Sequence, residues 1–177
     1  MTTALRPEDD HFQVLGWRPA LSPQTLSKAE KGGGELMGRP IQIDIDCTDP
    51  ESLAAFWAEV LSYEVAQPRD HTTWREYSEA EAREPGERWC AAFDPDGRGP
   101  RLLFHRVPEP KTVKNRLHLD VWVAPLGGER EANWPLVDAE VDRLVALGAT
   151  MIRRVSDTEQ CFVVMSDPEG NEFCACG

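Results

Sequence analysis

Three short stretches hold residues that could do chemistry in regular alternation. Gln42, Asp44 and Asp46 interleave with Ile41, Ile43 and Ile45; His118, Asp120 and Trp122 interleave with Leu117, Leu119, Val121 and Val123; Glu172, Cys174 and Cys176 interleave with Phe173 and Ala175. A period of two puts all the polar members of a strand on one face. His118 could serve as a general base or metal ligand, since an imidazole titrates near neutrality. It could equally be a polar face residue hydrogen-bonded to Asp44 or Asp120. Glu172 suits a base or a solvated charge at a strand start. Cys174 and Cys176 suit soft metal ligands, yet no neighbouring cation in sequence favours a thiolate, so inert thiols fit better. Asp44 and Asp120 would set the charge of any cavity between such faces.

The elements that must position these residues can be read around them. Asp49-Pro50-Glu51 opens a helix over 50–61, with Leu53, Phe56, Trp57, Val60 and Leu61 on one side. Strands are expected over 63–67, 89–93 and 101–107, with a polar stretch at 68–88 holding a short exposed helix from Trp74 to Arg83. The order then repeats: strand 117–123, helix 135–147, strands 150–155, 160–165 and 172–176. Asp94-Pro95-Asp96-Gly97 and Asp167-Pro168-Glu169-Gly170 mark the same turn in each half. Two marks in the same order at nearly the same spacing indicate internal duplication.

On these residues the chain resembles the vicinal-oxygen-chelate superfamily, the glyoxalase, bleomycin-resistance and extradiol-dioxygenase proteins. The resemblance rests on the paired βαβββ pattern, on Asp49 to Trp57 after the first strand, on Asn115-Arg116-Leu117-His118-Leu119-Asp120, and on Asp167 to Phe173. It is closest to the actinobacterial glyoxalase-like branch. It implies an α+β fold of two tandem modules, 39–109 and 114–177, sharing a concave cleft; residues 1–38, punctuated by prolines and glycines, read as an N-terminal extension that could be poorly ordered.

Metal-using members place two ligands per module on the concave faces. By that resemblance the first-strand ligands fall on Gln42 and His118. The last-strand positions fall on Cys174 and on Leu103, or Phe104 if the register slips by one, and neither apolar residue binds metal. No metal is therefore favoured; if a divalent ion binds, Gln42, His118 and Cys174 would hold it. The expected cleft is lined by Gln42, Asp44, Leu103, His105, Asp120, Trp122 and Cys174, with His118 and Glu172 as the catalytic candidates. Trp74 and Tyr77 are expected to contact a ligand. Three functions follow: a metal-independent small-molecule binder of the bleomycin-resistance kind, an enzyme (lyase, isomerase or dioxygenase relative) using an atypical metal or His118 as base, or a non-catalytic module.

Composition narrows the partners. Across 177 residues, 19 Lys and Arg stand against 31 Asp and Glu, a formal charge of -12. Such a chain repels phosphate backbones and anionic bilayers, which argues against nucleic acid and membranes. A neutral or cationic organic ligand is expected, in a cytoplasmic homodimer. Five cysteines without CxxC spacing argue against a disulfide framework.

Overall fold

The structure, a computed structural model, describes residues 41–68, 70–82, 85–125, 129–156 and 161–177. The expected extension at 1–38 and the loop glycines Gly127 and Gly128 lie outside the described residues. The element order is β1 (Gln42–Cys47), α1 (Pro50–Leu61), β2 (Glu64–Val65), α2 (Trp74–Glu81), β3 (Trp89–Phe93), β4 (Arg101–Arg106), β5 (Leu119–Trp122), α3 (Arg130–Ala146), β6 (Thr150–Ser156), β7 (Cys161–Ser166) and β8 (Glu172–Cys176). Two four-stranded mixed sheets result, β1-β4-β3-β2 and β5-β8-β7-β6. This is the α+β duplication expected.

The ladders settle the register. β1 runs parallel to β4 with Gln42 opposite Arg101, Asp44 opposite Leu103 and Asp46 opposite His105. β5 runs parallel to β8 with Asp120 opposite Cys174 and Trp122 opposite Cys176. Asp44 and Asp120 are repeat mates, so Leu103 and Cys174 are equivalent positions. The one-residue slip to Phe104 does not occur. Phe104 points to the helix side, fully buried.

Local chemistry sets α1. The Asp49 carboxylate caps it, accepting from Ser52 N at 3.4 Å and Ser52 Oγ at 2.8 Å, and Pro50 occupies the first turn. Ser62, at φ 56°, closes the helix in the left-handed region. Leu53, Phe56, Trp57 and Val60 are buried. Phe56 and Trp57 reach across to Phe173 of β8, with ring centroids 6.3 and 5.2 Å apart. The apolar sides of both modules thus share one core.

The second Asp-Pro turn locks the modules together. Asp167 is 2% exposed, and its Oδ2 accepts from Trp57 Nε1 at 3.2 Å. Glu169 accepts from the N–H groups of Thr48 and Asp49 at 2.6 and 2.7 Å. Arg143 of α3 donates to the Glu59 carbonyl of α1 at 3.1 Å.

Three readings shift. α3 begins at Arg130, before Pro135, which lies inside the helix. Proline is well tolerated in the first turn, where its missing N–H is unneeded, and the sequence alone suggested that place for it. β2 is two residues long. α2 is exposed on one side only: Arg75, Glu76, Glu79, Ala80 and Glu81 are exposed, while Trp74 and Tyr77 are 7% and 4% exposed. A capping box joins Thr73 and Glu76, Trp74 Nε1 donates to the Ala66 carbonyl at 2.6 Å, and Tyr77 packs edge-on against Trp89 at 6.2 Å.

Candidate functional site

The polar side of each sheet is built on the same ladder. In the first module, Gln42, Asp44 and Asp46 of β1 share a face with Arg101, Leu103 and His105 of β4 and with Trp89 and Ala91 of β3. In the second, Asp120 and Trp122 of β5 share a face with Glu172, Cys174 and Cys176 of β8 and with Phe162, Val164 and Ser166 of β7. Continuing the ladder one step places His118 opposite Glu172.

The first face is partly closed. Leu103 is 3% exposed and Ala91 fully buried. Leu103 therefore belongs to the core, which corrects its place as a cleft-lining residue. Trp74 and Tyr77 pack over this side with Trp89, so they form a roof and offer no ring to a ligand. What stays accessible is a strip along β1 and β4: Gln42, Asp44, Asp46, Arg101 and His105.

That strip has a defined charge pattern. Arg101 Nη1 donates to Gln42 Oε1. Loss of water around Asp44 holds its carboxyl above the ordinary 3.8, against the pull of His105 and Arg101. Burial lowers the Arg101 guanidinium. His105 stacks on Trp89 at 5.8 Å and 13°, with its Nε2 3.6 Å from Glu87.

The second face is open toward β5, while Cys174 and Cys176 of β8 are buried. Trp122 is 55% exposed, with Asp120 exposed beside it. His118 Nε2 lies 3.1 Å from Glu172 Oε2. Lys114 Nζ bonds the same carboxylate and sits 3.4 Å from His118 Nε2. The Lys114 hydrogen bond is the main cause holding Glu172 below its ordinary 4.5. His118 is thus partnered by Glu172, and not by Asp44 or Asp120 as its sequence neighbourhood suggested. Lys114, in the connection that precedes β5, was not among the residues singled out from the sequence. Its basic run beside the His118 strand was the available signal.

Cys174 hydrogen-bonds the Asp120 carboxylate; burial first, then that bond, pushes its thiol up to about 11. Burial pushes Cys176 up to about 12. Cys47 and Cys90 rise to about 12 for the same leading reason.

These residues do not offer a divalent ion an open donor set. The Gln42 oxygen already accepts from the Arg101 guanidinium, and Leu103 has no donor atom. Among the described residues no three His, Cys, Asp or Glu side chains gather as a metal site. Nor is any described helix long and apolar enough to cross a membrane.

The sequence matches the family described as glyoxalase-like domain over residues 42–176. The chain belongs to that family, within the vicinal-oxygen-chelate superfamily. No curated protein matches it. Among solved structures it is similar to the fosfomycin resistance protein FosX from Mesorhizobium loti (12% identity, 80% of this chain, 92% of that one, TM-score 0.53). It is also similar to Listeria monocytogenes FosX complexed with Mn(II) and sulfate (13% identity, 80% and 93%, TM-score 0.52). A third similar structure is a glyoxalase/bleomycin resistance protein/dioxygenase family enzyme from Burkholderia phytofirmans PsJN (20% identity, 76% and 94%, TM-score 0.50). At these identities the likeness concerns the fold.

Proposed function

We propose that this chain binds a small organic molecule on the polar faces of its two sheets and does so without a metal ion. One observation carries the reading: at the repeat positions of Gln42 and Arg101, an amide oxygen is held by a guanidinium, where a metal site needs that oxygen free. Leu103, buried at the last-strand position of the first module, supplies no further donor. The FosX structure from Listeria monocytogenes holds Mn(II), so metal loading is the decisive contrast. Protein purified without chelators is expected to contain well under one equivalent of Mn, Fe, Ni or Zn by elemental analysis. Its thermal midpoint should respond to organic ligands and not to divalent ions. Stoichiometric metal would overturn the reading.

The exposed carboxylates Asp44, Asp46 and Asp120 support the neutral or cationic ligand expected from the sequence, whereas Glu172 is neutralised by Lys114. A cytoplasmic homodimer belongs to the same reading, and light scattering tests the dimer.

The enzyme alternative has one observation in its favour. Glu172 lies 3.1 Å from His118 Nε2, the arrangement that orients a general base. In that case His118→Gln would abolish turnover while leaving ligand binding intact. A protein whose midpoint answers to no ligand and no metal would instead be the non-catalytic module.

A further inference from the structure

Arg101 and Glu172 occupy the same place in the duplication. Gln42 and His118 are the matching first-strand positions, and each faces its β4 or β8 partner across a parallel pair. The second module satisfies its pair internally: His118 meets Glu172, and Lys114 completes the charge balance. The first module does not. Arg101 is half-buried on the strip, and its one hydrogen bond among the described residues goes to the neutral Gln42 amide. No described carboxylate lies within ion-pair distance of it, although Arg88, Arg98, Arg143 and Arg154 each have one. Asp44 attracts Arg101 only at longer range.

A guanidinium carries five donors in a planar fork. Charges removed from water need partners, and the fork matches two oxygens of one carboxylate or phosphoryl group. Gln42 adds to this. With its oxygen accepting from Arg101, its amide nitrogen keeps two donors that make no hydrogen bond among the described residues. Asp44 sits one pleat along β1, roughly 7 Å from Gln42, where it can accept from an amine, hydroxyl or amide N–H.

We propose that Arg101 and Gln42 form an oxyanion seat, so that the ligand carries a carboxylate or phosphoryl group there and a hydrogen-bond donor toward Asp44. This rests on the small-molecule reading and replaces its neutral or cationic ligand with one that carries an anionic group at Arg101. It also qualifies the charge argument: a chain of net charge -12 still keeps a positive seat at one point of the strip.

The test uses the full chain labelled with 15N-arginine. The Arg101 Nε–Hε signal is assigned from Arg101→Lys and followed during titration with benzoate, inorganic phosphate and, as a cation of similar shape, benzamidine. Saturable movement of that signal with benzoate or phosphate is expected, and whichever anion acts identifies the oxyanion. Arg101→Gln, checked for folding by circular dichroism, should weaken that anion about tenfold or more. Asp44→Asn should tighten it about two- to fivefold at low salt. Anions that leave the signal unmoved, or that bind Arg101→Gln as well as the parent, overturn the seat. If benzamidine then still binds, the seat fails while the small-molecule reading stands.

Discussion

Replacing Asp167 tests whether the second Asp-Pro turn holds the two modules together. Its carboxylate is 2% exposed and takes four hydrogen bonds: Glu169 N at 3.0 Å, Asn171 N at 2.9 Å, Asn171 Nδ2 at 2.9 Å and Trp57 Nε1 at 3.2 Å. A hydrogen bond to a charged group contributes about 1.5–3 kcal/mol. The turn N–H groups can recover part of this through water, and the four are not additive. Trp57 is 2% exposed, so its indole N–H has no such recourse. Asp167→Ala should therefore cost about 3–5 kcal/mol. The internal control is Asp94→Ala, the repeat mate. Asp94 accepts from Asp96 N, Arg98 N and Gly99 N at 2.9, 2.9 and 2.8 Å, all within its own turn, and should cost about 1 kcal/mol. Urea unfolding followed by tryptophan fluorescence gives both values. At an unchanged m-value, the Asp167→Ala midpoint should fall well below that of Asp94→Ala. Equal losses would refute the claim that this turn joins the modules.

Three further outcomes follow from the titrating groups. Glu172 is held below 4.5, chiefly by the Lys114 hydrogen bond, so its stabilisation is complete above that value and disappears as pH falls through the lowered one. Lys114→Met should raise the Glu172 carboxyl midpoint in a 13C NMR titration, and an unmoved midpoint would exclude the contact. Asp44 is raised above 3.8, mainly by loss of water; its ionised form costs the fold stability near pH 7. Asp44→Asn should then unfold at higher urea at pH 7, with the difference closing as pH falls through the ordinary aspartate range. An advantage that grew toward acid would contradict the sign. Cys47, Cys90 and Cys176 at about 12 and Cys174 at about 11 should react slowly with a disulfide reagent at pH 8 in the native state. All five thiols should react promptly in guanidinium, and fast native titration would argue for an exposed thiolate.

The fold was legible because duplication wrote it twice. Two strand alternations and two Asp-Pro turns fixed the order, and β8 appears at its expected bounds, Glu172–Cys176. The side of α2 was not legible. Trp74 and Tyr77 lie three apart in a polar stretch, and such a stretch looks solvated until β3 supplies Trp89 as a partner. Leu103 shows the same limit from the other direction. Its face, expected from matching the two halves, is the one the ladder shows, but that matching says nothing of its burial. Lys114 escaped because its partner Glu172 is far away in sequence.

Once the modules are superposed by register, their divergence follows a rule. Position for position, Gln42 stands with His118, Arg101 with Glu172, Leu103 with Cys174 and His105 with Cys176. The pair changes character between modules: a neutral acceptor beside a cation in one, a titratable base beside an anion in the other. A single divalent ion spanning both modules requires acceptors on both sides, and a guanidinium at one of them opposes it electrostatically. Restoring the acid alone should therefore be insufficient. Arg101→Glu would place a carboxylate opposite Gln42 while leaving Leu103 without a donor, and the amide would lose its partner. Metal affinity gained by Arg101→Glu together with Leu103→Glu, and not by either alone, would show that these two positions jointly keep the ion out.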